Sequence, residues 1–274
     1  MIRTALRQPV VALAHRSPRR LYGLVDRFAR LTAPLATRPA TLRRLRTVFP
    51  HLTAADARRA AVEMRCTALK SRALGVVLAG ARGEPVYPSV VADAALAGLR
   101  GPAILTTAHI GALGAIGALL RRLPGDVLAL HRMEWRMPGN VTGLHVPDTD
   151  PANAAAFYRA LTTLRQDGCV LLLADGRGHD VPFLGGVVKI KRGPFALARL
   201  TGAPLVPVLA RWDGAIVRVT TSAPIAAGDD EAAMARAMAR VIERHLLEHP
   251  SEIGAHWLDP LSRALAQEGS APST

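Results

Sequence analysis

The first residue whose type and position could support catalysis is His109. It directly follows an apolar segment, residues 103–108, that predicts a buried strand, and a helix is predicted to begin just after it. Such strand-to-helix turns lie at the carboxyl edge of α/β sheets, where ligands bind. The positive end of a helix disfavours a protonated imidazole, so a histidine there stays neutral and can act as a general base. The alternative is a histidine that only hydrogen-bonds a loop carbonyl.

A second polar segment follows the most apolar predicted strand, residues 169–174. It opens with Asp175 and continues as a predicted glycine-rich, charged loop over residues 176–186. Three cations then lie at the start of a helix predicted over 191–201. These cations are Lys189, Lys191 and Arg192. Cations at a helix N-terminus predict an anion site that suits phosphate, and a solvated basic loop is the alternative.

Gly111, Gly114 and Gly117 follow the first strand with the spacing G-x-x-G-x-x-G. A dinucleotide site normally shows G-x-G-x-x-G, with an acidic residue at the end of the next strand. Here that strand ends in His131-Arg132, and a cationic end suits a 2′-phosphate. An NADP-dependent oxidoreductase therefore stays open as an alternative, beside close packing of a helix on the sheet.

Other kinds of site find no support in the sequence. Cys66 and Cys169 are far apart, and neither the cysteines nor the histidines show metal-ligand spacing. Ser71 and Ser222 lack the G-x-S-x-G elbow of serine hydrolases. We predict no metal and no other cofactor. Both cysteines are expected to be buried free thiols in a reducing compartment.

The charge of the chain indicates an anionic partner. The 274 residues carry 35 Lys and Arg against 21 Asp and Glu, a net charge of +14. Such a balance fits a phosphate-bearing ligand, an anionic lipid surface, an acidic carrier protein or nucleic acid. Aromatic residues make up only 4% of the chain, and no nucleic-acid-binding motif is present. We therefore predict no nucleic-acid partner.

The first 47 residues predict an amphipathic helical segment with a cationic rim. Its apolar stripe is formed by Leu21, Leu24, Val25, Phe28, Leu31 and Leu35, and its rim by Arg19, Arg20, Arg27 and Arg30. The segment could lie on an anionic membrane. Alternatively, it packs on the core with its arginines in water.

Strands and helices alternate from residue 101 onward, which predicts an α/β fold. We expect a mixed, mostly parallel sheet flanked by helices. The N-terminal layer is predicted over 1–100, the α/β core over 101–260 and a disordered tail over 261–274, in one integrated domain. No apolar run could span a membrane, and the apolar N-terminal stretch is too short for a signal peptide. We predict a cytoplasmic protein, peripheral on the inner face of the cell membrane.

Taken in order, these motifs resemble those of the bacterial lipid A biosynthesis (late) acyltransferases, which are related to the phosphatidylinositol mannoside acyltransferases. The resemblance covers most of the chain. It is carried by residues 46–50 (RTVFP), 108–114 (AHIGALG), 131–132 (HR), 174–176 with 181–185 (ADG, VPFLG), 193–198 (GPFALA), 201–208 (TGAPLVPV), and Pro250 with Trp257.

The resemblance implies a glycerolipid acyltransferase-like fold and a reaction. An acyl group moves from acyl-CoA or acyl carrier protein to a hydroxyl, or an amine, of a lipid or glycolipid acceptor. His109 would be the general base. The binding residues would be Arg132, Lys189, Lys191, Arg192 and Gly111.

The family places an acid five residues after the histidine, where this chain has Gly114. Without that carboxylate the histidine loses the group that orients it. Three explanations are open: another carboxylate, Asp175 or Glu134, takes the role; the acceptor needs less activation; or the chain binds acyl groups without turnover.

Overall fold

The computed structural model describes residues 7–80, 85–93, 96, 98–123, 125–131, 141–146 and 150–268. The helices are α1 (Arg7–Arg16), α2 (Pro18–Ala36), α3 (Pro39–Val48), α4 (Ala54–Gly80), α5 (Ile116–Leu120), α6 (Asp150–Arg165), α7 (Gly193–Thr201), α8 (Glu231–Glu248) and α9 (Ala255–Glu268), with 3-10 turns at Leu113–Ala115 and Pro250–Glu252. The strands are β1 (Val90–Ala92), β2 (Ala103–Thr107), β3 (Val127–His131), β4 (Val141–His145), β5 (Cys169–Leu173), β6 (Gly178–Phe183), β7 (Gly186–Lys191), β8 (Leu205–Asp213) and β9 (Ile216–Thr221).

Seven strands form one sheet in the order β1-β9-β8-β2-β5-β3-β4. Neighbouring strands run parallel except β8 and β9, which are antiparallel. This confirms the predicted α/β class with a mixed, mostly parallel sheet. Strands β6 and β7 form a separate antiparallel hairpin.

Helices cover both faces of the sheet, which explains why its central strand β2 is buried throughout. Successive residues of β2 alternate between two cores: Ile104 packs into one, and Leu105 packs into the other. The first core lies under α6 to α9 together with α3 and the start of α4. The second lies under α1, α2, α5 and the end of α4.

Helix α4 begins after a capping residue. The Asp56 backbone N–H donates to Thr53 Oγ1 over 3.1 Å, so Thr53 caps the helix. The helix ends at Gly80. Cys66 and Cys169 are both buried and free, as expected.

Three local predictions were wrong. The N-terminal layer predicted over 1–100 contains a strand of the sheet, β1, which pairs with β9. The loop predicted over 176–186 is largely the β6–β7 hairpin, because its apolar residues alternate and bury Val181 and Phe183 on one face. Residues 261–268, predicted as disordered, continue α9, where Leu261 is buried in the core.

None of the described helices is long and apolar enough to cross a membrane.

Candidate active site

The sheet brings His109 and Asp175 together. Strands β2 and β5 are parallel neighbours, with Thr107 opposite Leu173. The pairing continues one residue further, because the Ala174 N–H donates to the Thr107 carbonyl over 2.7 Å. Each side chain lies two residues beyond the end of its strand, so both meet at the carboxyl edge of the sheet.

The two side chains form a hydrogen-bonded dyad. His109 Nδ1 lies 2.7 Å from Asp175 Oδ2, and the His109 backbone N–H donates to Oδ1 over 3.0 Å. The carboxylate side chain is 5% exposed, whereas the imidazole is 53% exposed. Burial alone would raise the pKa of Asp175, but hydrogen bonds from His109 and His256 outweigh it and hold that pKa well below its usual range. The arrangement presents an open imidazole whose inner nitrogen is held by a buried anion.

A second histidine, His256, contacts the same carboxylate. Its Nε2 lies 3.2 Å from Asp175 Oδ2, and its ring packs edge-on against His109 with centroids 5.8 Å apart. His256 does not follow a predicted strand, so its position in the sequence did not mark it as a site residue. Its neighbour Trp257 was part of the family resemblance, and the segment 254–257 (GAHW) was the available signal.

The turn after His109 differs from the one predicted. The chain passes through Gly111 at φ +54°, and the next helical turn begins only at Leu113. His109 therefore does not lie at a helix N-terminus, and the helix-dipole effect expected from the sequence does not apply to it. A Cβ at Gly111 would lie 2.2 Å from both the Ala210 carbonyl oxygen and Glu252 Oε2. Packing alone thus requires glycine there.

Glu252 supports this turn from behind. Its backbone carbonyl accepts from the Gly111 N–H over 3.3 Å. Its side chain is buried, and burial raises the pKa of Glu252 to about 7, against the lowering effect of Arg211 and Lys70. In the folded protein, Glu252 is therefore mainly protonated below about pH 7.

A narrow apolar slot is lined by residues that are close to the dyad in the chain. Its lining includes Leu113, four residues after His109, and Leu173, two residues before Asp175. The slot is lined by Tyr87, Leu113, Gly114, Ile116, Gly117, Leu120, Ala129, Leu130 and Leu171 to Leu173. Gly114 and Gly117 therefore face hydrocarbon. A Cβ at Gly117 would lie 2.5 Å from the Tyr87 hydroxyl, so that glycine also serves close packing.

The predicted cations are only partly brought together. The Asp175 segment pairs with β7, because the Lys191 N–H donates to the Ala174 carbonyl over 2.6 Å. The stem of Lys191 packs on Gly176, beside the dyad. Arg192 is exposed at the start of α7, whereas Lys189 is paired with Asp180 at 2.7 Å. Arg132, together with the alternative carboxylate Glu134, lies outside the described residues.

The crystal structure of the 1-acyl-sn-glycerophosphate (LPA) acyltransferase PlsC from Thermotoga maritima matches with a TM-score of 0.43 and 15% sequence identity, over 85% of this chain and 97% of that chain. No family model matches the sequence, and no curated protein does. At this level of similarity the site has to be interpreted from its own residues.

Proposed function

We propose that the protein is an acyltransferase that moves a fatty acyl group from a thioester donor, acyl-CoA or acyl carrier protein, to a hydroxyl or amine of a lipid or glycolipid acceptor. The observation that carries this proposal is the exposed His109 ring, whose Nδ1 contacts the buried Asp175, together with an apolar slot lined by residues close to both in the chain. The sequence resemblance to late acyltransferases supports the choice of donor and acceptor.

The dyad geometry suits general-base catalysis. With Nδ1–H donated to Asp175, the lone pair of His109 is on Nε2, at the exposed end of the ring. Nε2 removes the proton of the acceptor hydroxyl as its oxygen bonds to the thioester carbonyl carbon. When the carbon–sulfur bond then breaks, the imidazolium returns the proton to the departing thiolate. Asp175 stabilises the imidazolium between these two steps.

In this proposal Asp175 replaces the acid that the family resemblance places at position 114. Gly114 lines the apolar slot, so a carboxylate there would enter a hydrocarbon environment and lose hydration. The slot is proposed to hold the carbons of the acyl chain nearest the thioester.

The alternatives make different predictions. An NADP-dependent oxidoreductase needs a glycine turn around a pyrophosphate, whereas Gly114 and Gly117 line the apolar slot. A non-catalytic acyl-binding protein would bind the donor and release no thiol. The direct test combines purified protein with acyl-CoA or acyl carrier protein donors of increasing chain length and a panel of hydroxyl and amine lipids. Thiol release with a matching acylated product supports the proposal, and binding without thiol release overturns it.

The donor phosphates are proposed to bind the cations of the β7–α7 junction, with Arg132 as a further candidate. Lys191 and Arg192 are the residues to test, because the stem of Lys191 packs on Gly176 next to Asp175 and Arg192 is exposed at the start of α7. The double variant Lys191→Ala/Arg192→Ala should raise the KM for the donor about tenfold at low salt. At high salt the ratio of variant to wild-type KM should be smaller, because salt screens the attraction that the variant has lost. Steady-state kinetics at two salt concentrations measures this.

The matched control, Arg240→Ala/Arg244→Ala, removes two exposed cations of α8 and so lowers the net charge by the same amount as the test variant. An equal rise in KM in both double variants would assign the effect to overall charge and refute the site.

The protein is also proposed to bind an anionic membrane, on the inner face of the cell membrane, through α2. This helix has two apolar faces: Leu21 and Tyr22 are buried in the core, while a second stripe points into solvent. The exposed stripe consists of Leu24 (55%), Phe28 (61%), Leu31 (77%) and Leu35 (91%). Arg20 and Arg27 are exposed beside it at helical spacing, where they can contact lipid phosphates.

We expect the protein to sediment with vesicles that contain phosphatidylglycerol and not with phosphatidylcholine alone. Leu31→Ser/Leu35→Ser should weaken partitioning by about 10–100-fold, because two leucines lose their burial in lipid. The control, Leu200→Ser/Leu247→Ser, changes two leucines that are each 46% exposed on other helices. Unchanged partitioning of the α2 variant would exclude this face.

A further inference from the structure

We propose that His256 is a positioning residue for the dyad: it contacts the same Asp175 oxygen as His109, so that the carboxylate keeps one orientation toward the base. The kinetic consequences of this inference rest on the proposed function, whereas the contact between His256 and Asp175 is independent of it.

The two carboxylate oxygens of Asp175 have different hydrogen-bond partners. Oδ1 accepts from the His109 backbone N–H at 3.0 Å. Oδ2 faces both imidazoles, with His109 Nδ1 at 2.7 Å and His256 Nε2 at 3.2 Å. A neutral His256 that carries its proton on Nε2 donates to Oδ2 and directs the other lone pair of that oxygen toward His109. The carboxylate is then fixed about its terminal torsion, which is otherwise soft.

The local fold is built to place His256 there. A Cβ at Gly254 would lie 2.4 Å from His256 Nδ1 and 2.8 Å from the His109 carbonyl oxygen, so glycine is needed for the approach. The next residue, Trp257, is buried and packs on Phe183 with ring centroids 5.0 Å apart. This anchors the first turn of α9, while the His256 side chain stays 38% exposed.

Three titratable side chains approach Asp175 or its neighbour Gly176, each from a different element of the fold. His109 reaches Asp175 from the end of β2, His256 from the start of α9, and the stem of Lys191 passes over Gly176 from β7. When His256 is removed, one donor to Oδ2 is lost. The carboxylate then interacts more strongly with the proton on His109 and is less well oriented. Both effects follow from the one hydrogen bond.

The kinetic test compares His256→Ala and His256→Gln with the wild-type protein across pH. We expect His256→Ala to lower kcat about tenfold, the effect of a single hydrogen bond to a charged group, with the donor KM unchanged. The acid limb of its kcat/KM profile should move to higher pH. Glutamine can still donate an amide N–H to Oδ2, so His256→Gln should recover most of kcat. His51→Ala, which changes an exposed histidine elsewhere, is the control.

A second readout does not require acyl transfer. The His109 ring is titrated by NMR in protein labelled with ¹⁵N-histidine, and its midpoint should rise in His256→Ala. A midpoint and a kcat that both stay at wild-type values overturn the role of His256. Absence of thiol release with every donor, together with a shifted midpoint, overturns the proposed function and leaves the positioning contact standing. If the alanine variant does not fold, a tenfold or larger loss of kcat in folded His256→Gln overturns the inference.

Discussion

Replacing Asp175 with asparagine is expected to lower kcat about 10²–10⁴-fold while the protein stays folded. The asparagine side chain has nearly the shape of aspartate, and its oxygen can still accept from the His109 backbone N–H. It carries no charge, so it does not stabilise the imidazolium that forms when His109 takes the acceptor proton. Its amide can also bind the ring in the wrong tautomer. The measurement is thiol release under saturating donor and acceptor.

The matched control is Asp180→Asn, because Asp180 lies five residues further along, is 61% exposed and pairs with Lys189. This variant should retain the wild-type kcat. A wild-type kcat in Asp175→Asn as well would contradict the dyad, and would return the orienting role to Glu134 or indicate an acceptor that needs less activation.

Asp175 should also affect how the free energy of unfolding changes at acid pH. Its folded-state pKa lies below its ordinary value of 3.8, so the ionised carboxylate stabilises the fold above that pH. This stabilisation is lost as the pH falls from the ordinary pKa through the folded-state pKa. The amide introduced by Asp175→Asn cannot titrate, so the free energy of unfolding should fall less steeply below pH 3.8 in the variant than in the wild type.

The position of His109 could be predicted from the sequence, but its partner could not be chosen. An apolar run followed by a polar residue identifies the carboxyl end of a strand, and both His109 and Asp175 satisfy that pattern. Whether two such ends meet depends on which strands are neighbours. Strands β2 and β5 are adjacent although β3 and β4 lie between them in the chain. That order arises from packing of the whole sheet, so the sequence could favour Asp175 over Glu134 as the partner but could not show that Asp175 meets His109.

His256 could not be found by strand-end reasoning, because it comes from the first turn of α9. It reaches the dyad because the backbone at Gly254 lies close to both His256 and the His109 carbonyl. No hydrophobic periodicity in the sequence predicts such a close contact. The α2 stripe shows a related limit. Leu21 and Leu24 belong to one apolar pattern in the sequence, yet Leu21 is 4% exposed and Leu24 is 55% exposed. A hydrophobic pattern identifies the amphipathic helix, and only the packed fold shows how much of its apolar surface remains uncovered.

Replacing His109 with alanine is expected to lower kcat about 10⁴-fold, the upper range for a positioned general base, with a small change in the donor KM. The ring lies between the buried carboxylate and solvent, so its loss removes the group that accepts the acceptor proton and leaves the apolar slot in place. Donor binding should therefore survive, which separates this variant from Lys191→Ala/Arg192→Ala. Thiol release and donor binding, measured on the same preparation, test both parts.

Because the His109 side chain is 53% exposed, the smaller variant His109→Gly leaves a space open to solvent that free imidazole can enter. Added imidazole should restore part of its kcat, and more so at a pH where imidazole is neutral, since only the neutral ring can accept a proton. The same addition to Asp175→Asn should restore little, because the ring is present there and its anionic partner is missing. His51→Ala should behave as wild type. Full acyl transfer by His109→Ala would exclude His109 as the base, and loss without imidazole rescue at any pH would indicate that the ring holds the turn rather than moves a proton.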